Sequence, residues 1–125
     1  MATTTSISRE QIKQNVNQLN EAILNGKALE AFEELYAEDV VMSEPGVGEW
    51  EGKDTNRERE QDFMSKVTEF RGFEVKNVAV GDGVSMVECS WDYTHEEWGD
   101  MNYTQVAVQE WNDEGLITRE TFYHA

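Results

Sequence analysis

The second half of the chain is written in the period of a β-sheet, and two glycine-bearing turns cut it into segments of matching length. Gly81-Asp82-Gly83 and Asn112-Asp113-Glu114-Gly115 are turn sequences. Between and around them we read strands over residues 73–80, 84–95, 101–111 and 116–124. The alternation in the first of these breaks at Lys76-Asn77, as at a bulge. Consecutive strands joined by short turns pair antiparallel. Such a sheet needs cover on one face, and the first half of the chain has the helices to supply it.

Ser8-Arg9-Glu10-Gln11 has the form of a capping box, with Gln11 spaced to reach back to the cap. Ile12, Val16, Leu19 and Ile23 follow as one apolar stripe, and Asn25-Gly26 ends the helix. A short second helix over 27–36 buries Leu29, Phe32, Leu35 and Tyr36. Val40-Val41-Met42 is a brief strand before Pro45, the single proline. Residues 46–52 form a glycine-rich loop with an exposed Trp50. A third helix over 55–67, capped by Asp54, is polar in its first half. It is expected to lie on the surface and to turn inward only at Phe63, Met64 and Val67. The fold class is therefore α+β, one domain over residues 1–125.

With 10 Lys plus Arg against 26 Asp plus Glu, the formal net charge is -16. This argues against nucleic acid and against anionic membrane surfaces, both of which need clustered basic residues. Cys89 is the single cysteine, so no intramolecular disulfide forms, as suits a reducing compartment. Residues 1–10 lack the basic and apolar regions of a signal peptide. We expect a cytoplasmic protein.

Four stretches carry a resemblance. Leu35-Tyr36-Ala37-Glu38-Asp39-Val40-Val41 is a helix-to-strand passage. Glu44-Pro45-Gly46 puts an acid before proline and a glycine loop. Glu51-Gly52-Lys53-Asp54 leads into the third helix. Gln105 to Tyr123, with Trp111, Gly115, Ile117, Arg119 and Glu120, is a closing hairpin. In this order they resemble the SnoaL-like proteins of the nuclear transport factor two-like superfamily. The resemblance implies a strongly curved, mostly antiparallel sheet wrapped around N-terminal helices, open at one end as a cone. It implies a small hydrophobic ligand in the cone and a homodimer formed through the outer sheet face. Relatives include ketosteroid isomerases, polyketide cyclases, dehydratases, epoxide hydrolases and non-catalytic binders, so fold leaves function open.

A four-residue loop at 112–115 pairs Trp111 with Leu116, Ala107 with Glu120 and Gln105 with Phe122. Tyr103, Gln105, Gln109, Trp111, Glu120 and Phe122 then share one face, with Val106 and Val108 on the other; the resemblance to the isomerase-like members implies that the first face is the inward one. For the preceding strand we take Cys89, Trp91, Tyr93 and His95 as inward. A one-residue change in the loop at Trp98 would substitute Ser90, Asp92 and Thr94. With Phe63 of the third helix, these residues make an aromatic cavity for a ligand; Trp91 and Trp111 suit a plain core as well as a ligand wall.

Glu44 matches the position of the catalytic carboxylate of the isomerase-like members, as a general base. The same place in a loop also suits a solvated glutamate. His95 is a candidate proton shuttle, or a wet histidine near a hairpin tip. Glu120 is a buried acid that needs a partner, for which Gln105 or His95 is available, in catalysis or in ordering the cone. The isomerase-like oxyanion donors are missing: the first helix offers Leu19 and Asn20, and the sheet position is Ala107. Enolate chemistry would have to use Gln105, Tyr103 or His95 instead. His124 is expected to fray at the chain end. No cofactor or metal site is expected, since Glu96, Glu97 and Asp100 lack calcium-loop spacing. The two functional readings are a cofactor-independent proton-transfer enzyme acting on a small hydrophobic carbonyl compound, with Glu44, His95 and Glu120 as its titrating groups, and a binding or dimerisation module.

Overall fold

A computed structural model describes residues 7–124; the leader reading of the N-terminus falls mostly outside them. Helix α1 (Arg9–Leu24) begins at Ser8, whose hydroxyl accepts the Gln11 N–H at 3.1 Å. The Gln11 side chain does not reach back to the cap. It donates to Asn15, and Asn15 donates to the Gly115 carbonyl, tying the helix to the last turn of the sheet. The expected stripe buries Ile12, Val16 and Leu19. Helix α2 (Ala28–Leu35) stops one residue early, because Tyr36 is already extended and opens strand β1 (Tyr36–Glu44). The glycine loop holds a short strand, β2 (Gly48–Glu51), paired antiparallel with β1.

Helix α3 (Lys53–Lys66) differs most from expectation. Gly52 is its N-cap, and Asp54 lies inside it. The polar first half is the part that packs inward. Lys53 and Asn56 are buried, whereas Met64 is 37 % exposed. Lys53 donates to the Glu33 carbonyl near the end of α2, where it satisfies a helix-terminal acceptor. The Asn56 amide donates to the carbonyls of Trp50 and Gly52, joining β2 to α3. Trp50 is not exposed as expected but half-buried, with the Arg59 guanidinium 3.4 Å from its ring centroid. Asn56→Ala leaves the Trp50 carbonyl without its partner and is expected to cost about 1–3 kcal/mol in urea unfolding.

Strands β3 (Val67–Gly81), β4 (Val84–His95), β5 (Gly99–Trp111) and β6 (Ile117–His124) complete a six-stranded sheet in the order β2-β1-β6-β5-β4-β3. Among the described residues only the β1–β6 pairing is parallel. The bulge expected in β3 is present as a register shift between Val75 and Asn77. Trp111 pairs with Ile117, not Leu116, and a further shift sets Gln109 opposite Glu120 and Ala107 opposite Phe122. The pairing is thus two residues from the expected register. Side chains alternate with period two, so the inward set is unchanged. Pairing of Cys89 with Gln105 and of Trp91 with Tyr103 puts the inward set of β4 on that same face. The core lies between this face and the helices, around Ile12, Val16, Phe32, Val40, Val87 and Ile117.

Candidate functional site

The concave face and the helices enclose cavities that share Glu60 and Trp91 as walls. An inner cavity of about 100 Å³ lies against Tyr36, Gln109 and Glu120. A mouth cavity of about 320 Å³ runs past Glu44, Arg59, Tyr93, His95, Tyr103 and Gln105. A side cavity of about 420 Å³ opens between α1, α3 and the start of β3.

Glu120 is 3 % exposed at the inner end. Its partners are neither Gln105 nor His95. Tyr36 donates to Oε1 at 2.5 Å, and the Gln109 amide donates to Oε2 at 2.8 Å. The direction of this network is set at its far end. The Trp111 indole can only donate, and it donates to Ser85 Oγ at 2.9 Å. Ser85 therefore passes its own proton to Gln109 Oε1 at 2.7 Å, and the amide turns its N–H toward Glu120. Two donors favour the carboxylate, but removal from water favours the neutral acid more strongly. Burial pushes Glu120 from 4.5 up to about 7, with nearby Glu60 adding in the same direction. Burial and the Glu120 charge push the Tyr36 phenol well above its usual range.

Glu60 projects from the inward stripe of α3 and makes no hydrogen bond or ion pair among the described residues. Burial raises its carboxyl as well, partly offset by Arg59. Glu60 and Tyr36 are the residues that sequence reasoning missed. The stripe ending in Phe63 and Val67 runs backward at helical spacing through Glu60, Asn56 and Lys53, and tracing it would have put Glu60 inside.

The expected aromatic wall divides. Trp91, Tyr93, Tyr103, Phe63, Phe122, Gln105 and Gln109 each line at least one cavity. Trp111 lines none of them and belongs to the core, where its ring and N–H hold the network. The Tyr93 and Tyr103 hydroxyls pair at 3.0 Å. The Gln105 amide has only a weak contact, 3.9 Å to Cys89 Sγ. The Cys89 thiol is raised by burial.

Glu44 ends β1 at the mouth, and its side chain is 29 % exposed and 3.5 Å from His124 Nε2. His124 does not fray: it pairs with Gln105 in the sheet and lies 5.5 Å from the Tyr103 ring. His95 is not wet either. It is 2 % exposed, stacked 3.7 Å from Trp98, and its Nδ1 accepts the Glu97 N–H. That bond leaves Nε2 to carry the proton of the neutral ring. Trp98 is 58 % exposed above it. Among the described residues no three His, Cys, Asp or Glu side chains converge as a metal site. No helix among them is long and apolar enough to cross a membrane.

The profile of the SnoaL-like domain family matches residues 16–120. No curated protein matches the chain. Solved structures share its shape. A candidate SnoaL-like polyketide cyclase from Mesorhizobium loti is 23% identical at a TM-score of 0.80, over 90% of this chain and 97% of that one. An LEH-like epoxide hydrolase from M. tuberculosis is 18% identical at 0.74, over 93% and 84%. A candidate ketosteroid isomerase from Kribbella flavida is 24% identical at 0.71, over 99% and 82%. At these identities the likeness carries the fold alone.

Proposed function

Because the chain belongs to the SnoaL-like domain family, we propose that it is a cofactor-independent proton-transfer enzyme acting on a small, largely apolar carbonyl compound. One observation carries this reading. A buried acid poised at about pH 7 and hydrogen-bonded to a buried phenol lines an apolar cavity. A carboxylate has more lone pairs than its two bonds use, so Glu120 retains basic sites. Glu120 takes the proton α to the carbonyl. The pair of electrons released moves toward the carbonyl oxygen, where Gln105 or the Tyr93–Tyr103 pair supplies N–H or O–H. Tyr36 and Gln109 hold the carboxylate in place. Glu44, with His124, and His95 border the outer end of the ligand path.

The reading is tested by exchange of the α-protons of 2-butanone for deuterium, followed by proton NMR in D2O. The protein is expected to accelerate exchange above buffer at pH 7. Absence of acceleration despite binding of the ketone would select the second reading, a binding module. That reading has its own support, since Tyr36 and Gln109 already engage both oxygens of Glu120 within the protein.

The protein is further proposed to be a homodimer through the outer sheet face. Met86, Val106, Val108 and Tyr123 share that face across three strands, with Met86 44 % and Tyr123 50 % exposed. Val108→Lys is expected to convert a dimer to a monomer in sedimentation velocity; an unchanged sedimentation coefficient would place any contact elsewhere. A cytoplasmic location, free of nucleic acid and membrane, remains the reading of the charge and of the unpaired buried Cys89.

A further inference from the structure

The proposed chemistry occupies the inner end of the cone and leaves the largest of the three cavities unused. The side cavity is walled by Ile23 and Leu24 of α1, Phe63 and Met64 of α3, and Val67 and Phe70 of β3. Its origin is visible in the sheet. β3 is an edge strand, and its first turn of pairing is broken by register shifts between Val67 and Glu69 and between Phe70 and Gly72. Such shifts bend a strand, here beside the end of α3. Leu24, Met64 and Phe70 are 54 %, 37 % and 51 % exposed, and all three lie around this one space. Large apolar side chains held open to water around a concavity mark a binding surface.

The side cavity adjoins the other two, with side chains in common. Phe63 and Tyr93 border both it and the mouth, and Glu60 and Trp91 border all three. Among the described residues its charged walls are Glu60 and Glu69, with no Lys, Arg or His. Glu60 stands at the junction without a hydrogen-bonded partner among the described residues, and Glu120 lies within its electrostatic reach. A carboxylate brought to this junction would lose its water in an apolar setting between two acids, and Arg59, which offsets Glu60 in part, lines only the mouth, so its entry is costly. A neutral carbonyl would not.

We infer that the side cavity is the site of an apolar tail, and that the ligand is a neutral amphiphile: a ketone or aldehyde head placed at Glu60 and Glu120, with an alkyl chain lying between α1, α3 and β3. The inference rests on the carbonyl-binding reading above. It adds the length and charge of the molecule that the site accepts.

Calorimetric titration of the full chain with 2-butanone, 2-heptanone and 2-undecanone tests it, with decanoate as the charged comparison. Kd is expected to fall about fourfold for each added methylene buried. Met64→Trp narrows the cavity from its rim, where a larger side chain disturbs the core little. It is expected to leave 2-butanone binding unchanged and to weaken 2-undecanone by about tenfold or more. Leu24→Trp, from the opposite wall, is expected to do the same. Decanoate is expected to bind at least about tenfold more weakly than 2-undecanone. If 2-butanone binds but affinity is flat with chain length, or if neither variant changes the length dependence, the tail site is wrong. Equal binding of decanoate would overturn the neutral head. Failure of every ketone to bind would overturn the carbonyl reading itself, and the tail inference with it.

Discussion

Glu120→Gln is expected to make the protein more stable at pH 8 and far less active. Glu120 is raised in the folded state from 4.5 to about 7. Below pH 4.5 the acid is protonated both folded and unfolded, and its contribution is at its most favourable. As pH rises, the unfolded chain releases the proton first while the folded protein holds it. Stability therefore falls through this window, and the loss is complete once pH passes about 7. The total is about 3 kcal/mol. Glu60, also raised by burial, adds to the slope with the same sign. Glutamine mimics the neutral acid: its Oε1 accepts from Gln109, and its amide donates to the Tyr36 oxygen. The variant should thus lose about 2.5 kcal/mol of the fall in unfolding free energy between pH 5 and pH 8, measured in urea. It should also lose about 10²–10⁴-fold in α-proton exchange, because an amide cannot take the proton. Stability gained and activity lost by one atom's replacement is the signature of a strained functional acid. Equal pH slopes in the two proteins would mean that Glu120 is not held neutral by its surroundings.

Trp111→Ala is expected to cost about 3–5 kcal/mol, the range for removal of a large buried ring. Trp111 is 7 % exposed and packs with Ile117 and Val87 in the core cluster. A second effect is separable. Trp111→Phe keeps most of the ring but deletes the indole donor to Ser85. Its stability cost should be nearer about 1–3 kcal/mol, from the lost hydrogen bond and the smaller ring. The Ser85 hydroxyl is then free to turn, and Gln109 is free to flip its oxygen toward Glu120. The carboxylate loses a donor, so Glu120 should titrate at still higher pH in Trp111→Phe. An unchanged titration there would show that Ser85 and Gln109 hold their orientation without the tryptophan.

The sheet was legible because turn residues and side-chain parity are local. β4 runs over the span read from its alternation, Val84–His95, and the Lys76-Asn77 irregularity is a real bulge. Even the misread pairing of the last hairpin did no harm to the inward set, since a slip of two residues preserves the face. What was not legible depends on tertiary cover. A polar helix half reads as solvated, yet Lys53 and Asn56 go inside because backbone carbonyls of Glu33, Trp50 and Gly52 wait there for donors. Glu60 follows them in by helical geometry. Tyr36 reaches Glu120 only because β1 pairs parallel with β6, 84 positions apart along the chain. Parity alone left Trp111 as ligand wall or core; its depth in the cone, not its face, decides that it is core. His95 looked wet because it is next to a hairpin tip, but Trp98 folds back over it.

The central claim is that Glu120 is an acid poised near neutrality and facing the ligand. Carbon-13 NMR titration of glutamate carboxyls, with Glu120→Gln to assign the resonance, tests it most directly. The account predicts a Glu120 titration near pH 7 that moves when 2-butanone is added. A Glu120 resonance that titrates at the ordinary value near 4.5 and ignores the ketone would contradict it.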